Sequence, residues 1–225
     1  MGEKEIMTVR EKFDYDLNTL REKLLEIGSL AEIALSKSMD ALKTKNIDQA
    51  LQIIDDDNRV DFLDEEINDF AILLIAKQQP VAIDLRRIIV AIKISTDVER
   101  MADFAVNIAK ATIRLGDNSF ITDINNVIEM HRIALEMLSL SLKAYYEEDI
   151  VLAKKVADMD DQVDSLYGQN IREILRLTQK HPDAISQITQ LAFVTRYIER
   201  IADHATNISE SIFYLVKGRH YDLND

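Results

Sequence analysis

The chain has no cysteine and no tryptophan, and its 225 residues include only five glycines and two prolines. The missing cysteine removes disulfides, thiolate metal ligands and a cysteine nucleophile together. So little glycine and proline leaves almost nothing to punctuate strands and tight turns, whereas the abundant Leu, Ile, Ala, Glu, Lys and Asp favour helix. No run of about 18 uncharged apolar residues occurs and no signal-peptide pattern opens the chain, which reads as cytoplasmic. Basic residues are the minority, 27 against 40 acidic, for a net charge of −13. That sign disfavours nucleic acid and anionic membrane surfaces, and suits metal cations or basic partner surfaces. The length allows one large domain or two ordinary ones, and a 47% hydrophobic content is ample for a core.

One stretch is present twice. ERMADFAVNIAKATIRL at 99–115 returns as ERIADHATNISESIFYL at 199–215, an offset of 100 residues without a gap. Around it the chain repeats a plan of three helices. The first helix runs from Phe13 to about Lys43, with Phe13, Leu17, Leu20, Leu24, Ile27, Ala31, Ala34 and Ser38 as its seam. Gly28 lies inside it at some expense in stability. The second starts at Asp48 and carries Val60, Leu63, Ile67, Phe70 and Leu74 to about Gln78, where Pro80 stops it. The third spans about Val81 to Leu115 and ends at Gly116. The second half predicts helices over Ile121–Tyr146, Asp149–Gln179 and Asp183–Val216, with the stop at His181-Pro182. Long helices on short connections lie antiparallel to their neighbours. The fold class is therefore all-α, two tandem three-helix bundles over residues 10–118 and 119–218, with a break at 116–122. Residues 1–9 read as a lead-in, with Met7 a plausible true start.

Carboxylates recur with the repeat. Glu99, Asp103 and Asn107 fall at i, i+4 and i+8, in one row along a helix face, and Glu199, Asp203 and Asn207 form the same row. Each second helix adds an acid pair, Asp57 with Asp61 and Asp160 with Asp164. Asp57 and Asp103 are equidistant from Pro80, as are Asp61 and Glu99. The second set is likewise equidistant from the His181-Pro182 step, so four carboxylates come level in each half. They point away from the apolar seams, toward the outer face. Four like charges repel, and a multivalent cation offsets that; an all-oxygen set suits Fe³⁺, Mn²⁺, Mg²⁺ or Ca²⁺, with His204 keeping zinc open. The alternative is a solvated acidic surface, with Arg100 and Arg200 bridging the acids. His131 and His220 read as surface residues.

No P-loop, Gly-rich phosphate loop, nucleophile elbow or Rossmann signal is present, so the chain does not read as an enzyme. A carboxylate-bridged metalloenzyme is the competing class, but a ferritin-like site needs Glu-x-x-His and no histidine here has a Glu three residues before it.

The repeated acid pairs, the stretch QQPVAIDLRRIIVAIKISTDVERMADFAVNIA at 78–109 and TRYIERIADHATNISE at 195–210 resemble the PhoU family from Phe13 onward. The resemblance implies two tandem three-helix bundles in a cytoplasmic, often dimeric protein that accompanies the phosphate-specific ABC transporter, touching the membrane only through it. It further implies negative regulation of the phosphate-starvation response through contact with the transporter ATPase and a sensor histidine kinase. It also implies multinuclear iron or zinc clusters at Asp57, Asp61, Glu99 and Asp103, and at Asp160, Asp164, Glu199 and Asp203. The DLR of Asp84, Leu85 and Arg86 has no counterpart after the second proline, which confines any partner role of that motif to the first half.

Overall fold

A computed structural model describes residues 8–223. Among them the elements are α1 (Val9–Thr44), α2 (Ile47–Asp56), α3 (Asn58–Gln78), α4 (Ala82–Leu115), α5 (Asn125–Glu147), α6 (Ile150–Lys180), a 3₁₀ turn (Pro182–Ala184) and α7 (Ile185–Lys217). The proposed lead-in and the Met7 start fall largely outside the described residues.

The repeat is visible in how the helices are capped. Thr8 and Glu11 form a reciprocal capping box that starts α1. Lys45 and Glu148, 103 residues apart, close α1 and α5 in the left-handed conformation at φ 55° and 52°. The following residues, Asn46 and Asp149, accept backbone N–H groups to start α2 and α6. Different side chains thus perform the same two tasks in the same register.

The predicted second helix is one rod in sequence but two in structure, because its backbone ladder is interrupted at Asp57. The run Asp55-Asp56-Asp57-Asn58 is poor in helix propensity and crowds like charges, and the Asn58 amide donates to the Asp55 carbonyl at 3.2 Å in competition with the helix. Its counterpart α6 passes through Asp160 without a break. Pro182 likewise starts a 3₁₀ turn instead of the last helix directly.

Helices α1 to α4 make one bundle and α5 to α7 the other, joined where α4 packs on α7 and α1 on α5. The core is continuous across that join: Leu24, Ile67 and Met101 belong to the same buried cluster as Met137, Val163 and Ile208. The apolar spacing of the third helix predicts a seam of Ile94, Val98, Met101, Ala105, Ile108, Thr112 and Leu115, and all of it is buried, as is the same set 100 residues on in α7. Near the α4 start, Arg86 donates to the Leu215 carbonyl at 3.1 Å near the α7 end, so these two helices are antiparallel. Between them Asp97 meets His204 at 2.8 Å, and the rings of Phe104 and Tyr197 stack at 5.9 Å. Positions 97 and 197, and 104 and 204, are equivalent, so a local two-fold axis relates the two contacts.

Two small features set the α1–α5 contact. A Cβ on Gly28 would lie 2.3 Å from a Leu142 methyl, so the glycine lets the helices approach. Its counterpart 103 residues on is His131, which is not a surface residue as its isolation in sequence suggested. It is buried, and Nε2 donates to the Leu35 carbonyl at 2.9 Å. Burial, the largest cause, depresses its pKa to about 4, only partly opposed by that hydrogen bond. The ring is therefore neutral at pH 7. Its pattern, one polar residue on an apolar helix face, was the only sign of this in the sequence.

Candidate functional site

The carboxylates predicted to lie level do meet. In the first half Asp57 is raised to about 6, by desolvation first and then by the charges of Asp61 and Asp103. Glu99 is raised to about 7, again by burial first, then by Asp103, and further by Asp64 and Asp61. In the second half burial and the charges of Asp164, Asp203 and Glu199 push Asp160 up to about 7. Asp164 and Glu199 are raised as well, desolvation leading in both. Carboxylates driven toward neutrality by mutual repulsion in a partly dry crevice hold unfavourable charge that a cation or a proton relieves.

They lie less far outward than their helical phase suggested. Asp160 is only 7% exposed. Glu99 and Glu199 tuck into the crevices between α3 and α4 and between α6 and α7, with side chains 17% and 12% exposed, while Asp103 and Asp203 stay more open. One oxygen on each of Glu99, Asp160 and Glu199 is buried without a hydrogen-bond partner. Such orphaned acceptors call for a cation, a proton or a water.

Arginines are the partners that are present. Arg100 donates to Asp103 at 3.0 Å and faces Glu99 at 3.3 Å, without the alignment of a hydrogen bond. Arg200 repeats this with Asp203 at 2.9 Å and Glu199 at 3.7 Å. The bridging role weighed for both arginines is thus realised. As the side chains stand, no three His, Asp or Glu groups among the described residues converge on one ion position. The donor set of hard oxygens and the orphaned acceptors fit a hard cation, which would have to draw the carboxylates off the guanidinium groups.

The row amides and His204 lie apart from this chemistry. Asn107 sits half-buried a turn beyond Asp103, whereas the Asn207 amide is 3.4 Å from Asp97, across the α4–α7 join. His204 spends Nδ1 on the same Asp97 and packs on the Phe104 ring. Asp64 and Arg196 are the residues that sequence reasoning missed. Asp64 lies three residues after Asp61 and Arg196 three before Glu199, the helical spacing that places each on its cluster's face.

The DLR motif is structural in two of its three positions. Asp84 is buried against Arg10 at 2.8 Å and Arg87 at 3.2 Å. Arg87 and Arg21 both reach Glu148, the residue that closes α5, at 3.0 and 2.6 Å, which ties the two bundles together. Arg86 lies over the Tyr214 ring, and Leu85 faces outward.

A duplicated antiparallel helical bundle, with one carboxylate cluster per copy in the crevice between its last two helices, defines the class. The family model for the PhoU domain matches the chain twice, at residues 24–112 and 127–212. A Clostridium acetobutylicum protein described as a phosphate-specific transport system accessory protein PhoU homolog is 41% identical over 96% of this chain and 99% of its own. A Zymomonas mobilis protein with the same description is 38% identical over 92% of this chain and 87% of its own. The crystal structure of PhoU from Pseudomonas aeruginosa superimposes with a TM-score of 0.89 at 31% identity, covering 92% of this chain and all of that one. The chain belongs to the PhoU family.

Proposed function

We propose that this protein is an accessory component of a phosphate-specific transport system, and that it acts there as a negative regulator of phosphate uptake and of the phosphate-starvation regulon. The supporting observation is the relationship over nearly the whole of both chains to a protein described as such a component. In this reading it is a cytoplasmic homodimer without chemistry of its own. It forms an adaptor between the ATPase of the phosphate ABC transporter and a sensor histidine kinase, and so serves intracellular phosphate homeostasis. No helix among the described residues is long and apolar enough to cross a membrane. In this reading the protein meets the membrane only through the transporter.

The two acidic clusters are, in this reading, metal-ion sites for iron or zinc, with manganese, magnesium or calcium as alternatives. Asp57, Asp61, Glu99 and Asp103 would hold ions in the first half, and Asp160, Asp164, Glu199 and Asp203 in the second. Asn107, one helical turn beyond Asp103, is the auxiliary donor of the first half, and the Asn207 amide lies instead 3.4 Å from Asp97. The bound cation would supply the positive charge that the clustered carboxylates lack.

The test is alkaline phosphatase activity in phosphate-rich medium, in the source organism with this gene deleted. High activity is expected. Unchanged activity in a strain without a second copy of such a gene overturns the regulatory reading. Restoring the gene with Glu99, Asp103, Glu199 and Asp203 neutralised then shows whether the clusters serve repression.

A further inference from the structure

The two clusters are built on the same backbone but do not place their charges alike. Aligning α4 with α7 at the 100-residue offset, and α3 with α6 at 103, matches Thr96 to Arg196 and Asp64 to Tyr167. In the first half Asp64 stands three residues after Asp61 on the same helix face and accepts from Ser95 Oγ at 2.5 Å, a fifth carboxylate beside the group. In the second half Tyr167 stands in its place, and the Arg196 guanidinium lies over that ring, 5.7 Å from its centroid. From there Arg196 donates a hydrogen bond to Glu199 Oε1. The first cluster thus sets five carboxylates against the one guanidinium of Arg100, and the second sets four against two. Lys110 beside Asp57 and Asp161 beside Asp160 and Asp164 bring both clusters to the same formal charge, so the two differ in where a guanidinium is fixed, not in their total.

Geometry points the same way. Arg196 is stacked on an aromatic face and fixed to Glu199, so it is a preformed counterion, not a mobile surface side chain. Asp160, more than nine-tenths buried with one oxygen unpartnered, shows that the second cluster nonetheless keeps an open acceptor. A cation entering there must displace a guanidinium from Glu199 that the first half does not possess.

We propose that the clusters fill in order. The first half is the tighter cation site and the second is held back by Arg196, a resident counterion that a divalent metal displaces only at higher concentration. Arg196 is a positioning residue that sets this order; the inference rests on reading the clusters as cation sites.

Free Mn²⁺, followed by its electron paramagnetic resonance signal during titration into the chelator-treated full chain, tests it. Two classes of site are expected, separated by about tenfold or more, the order of effect of breaking one charge-assisted hydrogen bond. Glu99→Gln with Asp103→Asn removes the tighter class, and Glu199→Gln with Asp203→Asn removes the weaker. Arg196→Thr, which installs the residue of the first copy, brings the weaker class up toward the tighter. Thr96→Arg, on an exposed helix position, pulls the tighter class down and serves as the second variant should Arg196→Thr fold poorly. A single class in the wild type, or a weaker class unmoved by Arg196→Thr, overturns the ordering while leaving the cation sites standing. Retention of no Mn²⁺ by either cluster overturns both.

Discussion

The first and second halves carry the same four acidic positions, yet the chain treats them differently. In the first, the helix supplying Asp57 is interrupted at that residue and a fifth acid, Asp64, joins the group. In the second, α6 runs unbroken, Asp160 sinks below the surface and an arginine stacked on a tyrosine answers the charge. The α1–α5 contact is unequal in the same way, with Gly28 on one side of the local symmetry and buried His131 on the other. A repeat conserves backbone tasks, such as caps, seams and proline turns, more strictly than it conserves the charge placed on them.

The contrast can be broken most strongly at Gly28. A leucine there has no room against Leu142, and Gly28→Leu is expected to destabilise by about 3 kcal/mol in denaturant unfolding. Larger side chains at the equivalent histidine position already fit, so the penalty belongs to one copy only. His131 gives the next effect, through pH. Its folded pKa lies below the unfolded value of 6.5, so the unfolded chain takes up a proton that the native one refuses. The stability it contributes is complete above pH 6.5 and is lost as pH falls toward 4. Relative to His131→Gln, which keeps a donor for Leu35 but does not titrate, wild type should lose about 2–3 kcal/mol between pH 7.5 and 4. A constant difference between the two proteins across that range would contradict a buried neutral ring.

Asp160 behaves with the opposite sign. Its folded pKa is raised above the unfolded value, so its charge destabilises the native state above about pH 7, and the penalty fades as pH falls toward 3.8. In chelator, Asp160→Asn should stabilise by about 1–2 kcal/mol at pH 8 and by almost nothing at pH 4. Asp57→Asn, at the more open equivalent position, should do less, and the difference between the two variants measures the asymmetry directly. At the α4–α7 join, replacing Asp97 by Tyr and His204 by Phe copies the aromatic contact of the other side. Melting with guanidinium should show a change within about 1 kcal/mol, provided both are replaced together, because each single change strands its partner. The smallest effect belongs to Arg132, whose ion pairs with Glu129 and Glu136 lie on the exposed face of α5. Arg132→Ala should shift stability by no more than about 0.5 kcal/mol.

Much of this was legible in the sequence, for reasons that can be named. Apolar spacing placed the α4 and α7 seams because helical phase is rigid over 30 residues. Equidistance from each proline brought the carboxylates level because antiparallel helices share a rise. What stayed hidden depended on the join between the bundles. Periodicity sees one helix at a time, so it gave no sign that α4 and α7 share a core, or that His131 and Asp97 face partners roughly 100 residues away. Ala34 fell in the predicted seam, but Leu35 is the fully buried residue of that turn, because α5 covers a second face of α1. The break at Asp57 needed the local charge crowding to be weighed against a strong apolar pattern.

The local two-fold between α4 and α7 has the form of an isologous interface, in which two identical units offer each other the same patch. In an assembly of separate identical chains every substitution arrives twice, once on each side of the axis, and must suit both settings at once. Here both sides are written in one polypeptide. Position 97 can be an aspartate that holds a histidine while position 197 is a tyrosine that stacks on a phenylalanine. Covalent fusion has released the two sides from identity, and a symmetric scaffold has become free to hold two different sites.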